Sequence, residues 1–313
     1  MVRTEGSEES LDKVFQAVSD KYNGNWDGEE MSFTSEEGYI EVISLRYLND
    51  FIVGTQRHKL TDGSVWKRKK MDRKYITIRL GSHSDRKERS KGTTPTEGIF
   101  IYNSYEDLTF NYPKNHSLEW MVISIPYDKF KLLDIFPNDS VLMQMFEMDT
   151  FLFHYMPMTF DIELLIRSVF DIRKDKLLRK PLFLSKAFEI LGRLNSKMTE
   201  QETLSQNLHP QDLELMLDLK VKLLEDYTIQ PNLDNIASDL GMSKSKLQRS
   251  FKSVFNTSIL KYFNTQRLEE ARRKIEFTDD SLSYISYDLG FNDISHFSTA
   301  FRKHFGVAPS DIR

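Results

Sequence analysis

A unit that occurs twice in the last eighty or so residues restricts the fold more than any other feature of the chain. Ile236-Ala237-Ser238-Asp239-Leu240-Gly241-Met242 returns as Ile285-Ser286-Tyr287-Asp288-Leu289-Gly290-Phe291, an offset of 49. Beyond the glycine the offset becomes 50, and Leu247, Phe251 and Phe255 align with Phe297, Phe301 and Phe305. Spacing i, i+4, i+8 puts each trio on one face of a helix, which must be buried. A glycine at the junction supplies the positive φ that a sharp turn out of a short helix needs. Each unit therefore predicts a short helix, a turn and a second helix of ten to twelve residues, the helix-turn-helix arrangement.

Removing the buried face leaves the outward positions. They are Ser245, Gln248, Arg249 and Lys252 in the first unit, and Ser295, Ser298, Thr299 and Arg302 in the second. Glutamine pairs bidentately with adenine and arginine with guanine in the major groove, so Ser245, Gln248 and Arg249, with Ser295, Ser298 and Thr299, are the candidate base readers. The hydroxyls of the second unit discriminate far less. Lys244, Lys246, Lys252, Lys261, His296 and Arg302 are assigned to phosphates, which fix position without reading sequence. Between the units, residues 258–275 predict one helix about 27 Å long. Such a rod sets two recognition helices roughly one DNA turn apart.

The rest of the chain reads differently. Runs at 39–43, 75–80, 98–102 and 120–125 are β-branched and aromatic and are separated by turn residues, predicting an all-β sandwich or small barrel. A helix is expected over about 11–20. After Pro126 the period changes to 3.6 around 127–136, 140–147, 160–170 and 182–194. Those helices either cover the β-region or pair with a second copy. A polar stretch over 195–208 reads as a linker, and helix resumes at Pro210.

The chain of 313 residues carries a net charge of −4, but the charge is unevenly spread. Residues 57–91 hold 13 basic and four acidic side chains, including Lys67-Arg68-Lys69-Lys70 and Arg86-Lys87-Glu88-Arg89. This segment reads as a solvated hairpin, an anion-attracting mouth or an auxiliary DNA contact, and it motivates an anionic effector. In the C-terminal part Lys244, Lys246, Arg249, Lys252, Lys261, Arg267, Arg272, Arg273 and Lys274 face only Glu269 and Glu270. No cysteine is present, which removes disulfides and sulfur-ligated metals. His58, His83, His116 and His154 are isolated and read as satisfied or solvent-exposed imidazoles, so no metal and no cofactor is expected. Trp66 is read as hairpin packing, and Tyr102, Tyr105, Phe110 and Tyr112 as core or surface filler. No apolar run is long enough to span a membrane and Met1 to Glu9 lacks the apolar core of a secretory signal, so the expected address is the cytoplasm.

Residues 285–309 closely resemble the signature of the AraC/XylS transcription regulators, and Gly241 to Lys252 and Arg267-Leu268-Glu269-Glu270-Ala271 are similar to it as well. The likeness covers about 210–313. It departs at Thr299, where the family often has arginine, and at Ile312, where a tyrosine often stands. The resemblance implies an N-terminal cupin-like β-barrel that senses a small molecule, followed by helices used for dimerisation. The expected fold is thus α+β: a cupin-like sensor over 1–126, a helical dimerisation region over 127–194, a linker over 195–208, and an all-α DNA-binding domain over 209–313. It describes an effector-controlled regulator, an activator that recruits RNA polymerase, acting on double-stranded DNA as a homodimer and not as an enzyme. The alternatives are a cupin-type enzyme with an oligomerising helical tail and a nonspecific architectural DNA binder.

Overall fold

The computed structural model describes residues 2–83, 98–112, 114–115, 117–199 and 210–312, apart from the side chains of Ser82, His83, Pro210, Gln211, Glu214 and Val221. Leaving residues 91–93 aside, the chain divides into two compact units with the boundary between Leu204 and Ser205. The first is rich in β-sheet and the second is helical, a mixed α+β architecture.

The first unit opens with β1 (Val2–Gly6), α1 (Leu11–Lys21), β2 (Asn25–Trp26), β3 (Glu30–Ser35), β4 (Gly38–Tyr47) and β5 (Phe51–Leu60). There follow β6 (Ser64–Arg68), β7 (Tyr75–His83), β8 (Gly98–Asn103), β9 (Leu108–Tyr112) and β10 (Leu118–Pro126). It closes with α2 (Tyr127–Leu133), α3 (Val141–Glu147), β11 (Phe153–Met156), α4 (Phe160–Ile172) and α5 (Arg179–Thr199). Among the described residues these strands form an antiparallel sheet in the order β11-β8-β7-β10-β5-β4-β3-β2 and a smaller sheet, β1-β6-β9.

Period-two alternation divides the faces of the large sheet. Ile76, Ile78 and Leu80 of β7 and Met121, Ile123 and Ile125 of β10 join a core with Phe130, Phe146, Ile166, Phe183 and Ile190 from α2 to α5. The helices after Pro126 thus cover the sheet. The residues between, Thr77 and Arg79 on β7 and Trp120, Val122 and Ser124 on β10, face a cavity on the opposite side. Of the alternative readings left open for these helices, packing onto the β-region is the arrangement found.

Three details depart from the expected elements. β11 interrupts the region read as helical; its four residues are all buried, so they show no alternation. α5 continues to Thr199, so residues 195–199 are helix and not linker, held in part by the Thr199 hydroxyl donating to the Asn195 carbonyl. Residues 200–208 lie outside the described residues. β1 pairs in parallel with β6, adding a strand within the acidic first thirty residues.

The second unit contains α6 (Pro210–Leu224), α7 (Leu233–Asp239), α8 (Lys244–Phe255), α9 (Ile259–Phe277), α10 (Leu282–Asp288) and α11 (Ile294–Phe305). The repeat in the sequence becomes α7-turn-α8 and α10-turn-α11, joined by the 19-residue α9.

Candidate nucleic-acid interface

The two turns are built by the same bonds. In the first, the Gly241 amide donates to the Ser238 carbonyl and the Met242 amide to Ala237; in the second, Gly290 donates to Tyr287 and Phe291 to Ser286. This paired reversal closes a helix on a left-handed residue, and Gly241 and Gly290 have φ of +62° and +72°. The change of offset from 49 to 50 lies inside the turn: Gly241 is followed by Met242 and then the cap Ser243, whereas Gly290 is followed by Phe291, Asn292 and then the cap Asp293. The Ser243 hydroxyl accepts from the Lys246 amide and the Asp293 carboxylate from the His296 amide, satisfying amides that open each second helix.

Burial then orients the second helices. Leu247 and Phe251 of α8, and Phe297 and Phe301 of α11, are fully buried. On the opposite face Ser245, Gln248, Arg249 and Lys252 are exposed, as are Ser295, Thr299 and Arg302; Ser298 is half-buried. Three expected base readers thus share the exposed stripe of α8, while α11 presents two exposed hydroxyls and a third partly withdrawn. His296 is exposed, with its ring edge-on to Phe291 at 5.9 Å.

The cations divide into two groups. Lys261 on α9 is exposed, and Arg249, Lys252, Lys261 and Arg302 meet no carboxylate among the described residues. Lys244 lies 2.9 Å from Asp234 and Lys246 3.9 Å from Asp212, exposed pairs that solvent makes weak. The basic residues of α9 do something else. Arg267 donates to the Gly290 carbonyl at 2.8 Å and lies 3.8 Å over the Phe291 ring, while burial lowers its pKa from the usual arginine value. Lys274 pairs with Asp288, Arg273 with Glu270, and Arg272 with Glu276 while lying 5.0 Å over Phe305. Glu269 receives His304 at 3.0 Å. Four of the nine cations counted as a positive field are therefore internal fastenings, chiefly of the second helix-turn-helix unit. Sequence counting missed this for three of them because Asp288, Glu276 and the Gly290 carbonyl lie outside the segment counted; Arg273 pairs with Glu270 inside it.

In the first unit the described part of the basic run is largely neutralised. Arg57 pairs with Glu119, Lys69 with Glu5 and Asp107, Arg73 with Asp50 and Asp128, and Lys74 with Asp149. Arg68 is buried against Glu8 at 3.2 Å. The solvated-hairpin reading fails for Arg68 and for Arg79, which faces inward; Arg86 to Lys91 lies outside the described residues. Trp66, Tyr102 and Tyr112 line the cavity, and Phe110 packs against the Arg79 guanidinium at 4.4 Å. Two of the four aromatics taken as filler thus line one cavity and a third packs on its arginine; Tyr105 instead bonds Asp149. His58 and His154 are neither exposed nor fully satisfied. Burial pulls their pKa values down to about 3 and about 4, and the Nε2 of His58 and both ring nitrogens of His154 have no hydrogen-bond partner among the described residues. His83's side chain and His116 lie outside those residues.

A family model described as a helix-turn-helix domain matches residues 236–313. The HTH-type transcriptional activator RhaS of Pectobacterium atrosepticum is 36% identical over 91 residues, which are 29% of this chain and 33% of that protein. The RhaS of Escherichia coli O139:H28 is 36% identical over 98 residues, 31% of this chain and 35% of that protein. The chain spans about a third of the length of the curated relatives it matches. A transcriptional regulator from Chromobacterium violaceum whose structure is titled as AraC-type DNA-binding is 35% identical, covering 26% of this chain and 74% of that one, with a TM-score of 0.25. No helix among the described residues is long and apolar enough to cross a membrane.

Proposed function

Through residues 236–313 the chain belongs to the AraC/XylS family of regulators, and from that premise we propose that it is a sequence-specific DNA-binding transcription regulator controlled by a small molecule. Helices α8 and α11 enter neighbouring major grooves. The observation that carries this is the twice-built turn with a buried apolar face and an exposed polar stripe behind each glycine. Gln248 and Arg249, with Ser245, read bases from α8; Ser295, Ser298 and Thr299 add less from α11. Lys252, Lys261, Arg302 and His296 contact phosphates, and Lys244 and Lys246 exchange Asp234 and Asp212 for phosphates on binding. α9, about 28 Å of helix, sets the spacing near one DNA turn.

The two sheets of the first unit act as a cupin-like sensor whose cavity holds the effector. The helices of 127–194 cover that sensor and also support a homodimer. The protein works in the cytoplasm, activating through contact with RNA polymerase; the activator titles of its relatives support that direction. The effector shifts the population between arrangements only as far as it binds them unequally.

The test is selection of random duplexes on the full chain, followed by titration of the winner and of random DNA across salt. A regulator holds the selected duplex about a thousandfold or more tighter than random DNA. Equal affinity for both favours the architectural binder, and no affinity for either leaves the enzyme.

A further inference from the structure

The cavity of the first unit, about 130 Å³, lies between the two sheets and α1. Its lining is of two kinds. Leu11, Val14, Phe15 and Val18 of α1 supply an apolar wall, whereas Thr77 and Arg79 of β7 and Tyr102 of β8 supply a polar one. Arg79 is 8% exposed, and its guanidinium donates to the Tyr112 hydroxyl and lies 4.4 Å from the Phe110 ring centre and 4.9 Å from that of Trp120. It meets no carboxylate among the described residues; the groups that act on it are the phenols of Tyr112 and Tyr102. Burial pushes both phenols above the usual tyrosine pKa, so neither supplies negative charge. Glu8 at the cavity wall is already neutralised by Arg68, and it also accepts from Thr77 at 2.8 Å. One positive charge is left without a carboxylate partner in a buried site, where aromatic faces offset only part of the loss of hydration.

We propose that this cavity binds a small monocarboxylate with an apolar body, its carboxylate on Arg79 and its body against α1. The proposal rests on the reading of the first unit as a sensor and names the class of ligand it senses. One net charge selects a monoanion over a doubly charged phosphate ester. A guanidinium presents a planar fork that matches a carboxylate.

Octanoate is such a monocarboxylate, and octanamide is its uncharged counterpart. Calorimetric titration of the full chain is expected to give one site that holds octanoate at least about tenfold tighter than octanamide. In Arg79→Met the preference disappears while octanamide binding changes by less than about threefold, and in Arg79→Lys a preference remains. Should Arg79→Met fail to fold, Val14→Trp fills the space beside α1 with Arg79 untouched and is expected to weaken octanoate by about tenfold or more. Equal affinity for acid and amide, no binding of either, a preference that survives Arg79→Met, or octanoate affinity unmoved by Val14→Trp would each overturn the proposal. Binding of the selected duplex is measured on the same preparations. If it persists while the carboxylate preference is absent, the ligand class falls and the regulator reading stands.

Discussion

The two helix-turn-helix units share a backbone and differ in almost everything attached to it. The first presents long side chains, Gln248 and Arg249, on a lightly fastened frame: space around Gly241 is open, and the packing of α8 on α9 is aromatic, Phe251 and Phe255 lying 5.5 and 5.0 Å from Tyr262. The second presents short hydroxyls on a tightly fastened one, with Arg267, Lys274 and Glu269 of α9 gripping the Gly290 carbonyl, Asp288 and His304. The turn geometry is common to both; the exposed side chains are long on the first and short on the second, and the internal ion pairs gather at the second.

The largest effect that can break this comparison is at the turn glycines. A Cβ at Gly290 would lie 2.6 Å from the Thr228 Cα, whereas one at Gly241 meets nothing within 4 Å. Gly241→Ala is expected to cost about 1–2 kcal/mol from the left-handed backbone alone. Gly290→Ala adds a backbone collision and is expected to cost about 2–5 kcal/mol. Amide hydrogen exchange in α8 and α11 measures both; equal losses would mean that the units are fastened alike. Next in size is Arg267→Met, which removes a charged donor from the Gly290 carbonyl and the stack on Phe291, for about 1.5–3 kcal/mol. Protection should fall in α10 and α11 with α8 unchanged, and an equal fall in α8 would refute a lock confined to the second unit.

Much of this contrast was legible in the residues. The 49-then-50 offset located both turns and the extra turn residue, and the phenylalanine spacing gave the buried face, hence the exposed stripe, without coordinates. The half-burial of Ser298 was not legible, because a helical wheel places a residue on a face but does not say how far neighbouring elements reach around it. The α9 cations were misjudged because a net charge over 244–274 omits Glu276, Asp288 and the Gly290 carbonyl beyond it and does not say that Glu270 is held by Arg273. Arg79 was missed for a related reason: alternation in Ile76-Thr77-Ile78-Arg79-Leu80 assigns Arg79 to the side away from the helical core, but only the pairing of β1, β6 and β9 into a second sheet puts a cover over that side. His58, against Tyr112 and Trp120, depended on the same cover, whereas His154, opposite Ile101, depended on the helices over the other face.

Smaller effects sharpen the comparison on DNA. Arg249→Ala is expected to lose about 1–3 kcal/mol on the selected duplex and to relax one base position, while Thr299→Ala changes affinity by less than about 0.5 kcal/mol. Competition titrations with single-base variants check this, and a larger loss for Thr299 would invert the assignment. Lys252→Ala should weaken all duplexes alike and reduce the salt slope by about one unit, which affinity measured across salt reads directly.

A position-by-position affinity profile of the full chain across both half-sites of the selected duplex, taken for the wild type and Arg249→Ala, bears most directly on the division of labour. Strong base preference concentrated in the half-site of α8, weak preference in that of α11, and flattening by Arg249→Ala in the first alone is the predicted result. Equal preference in both half-sites, or a profile that Arg249→Ala leaves intact, would contradict it.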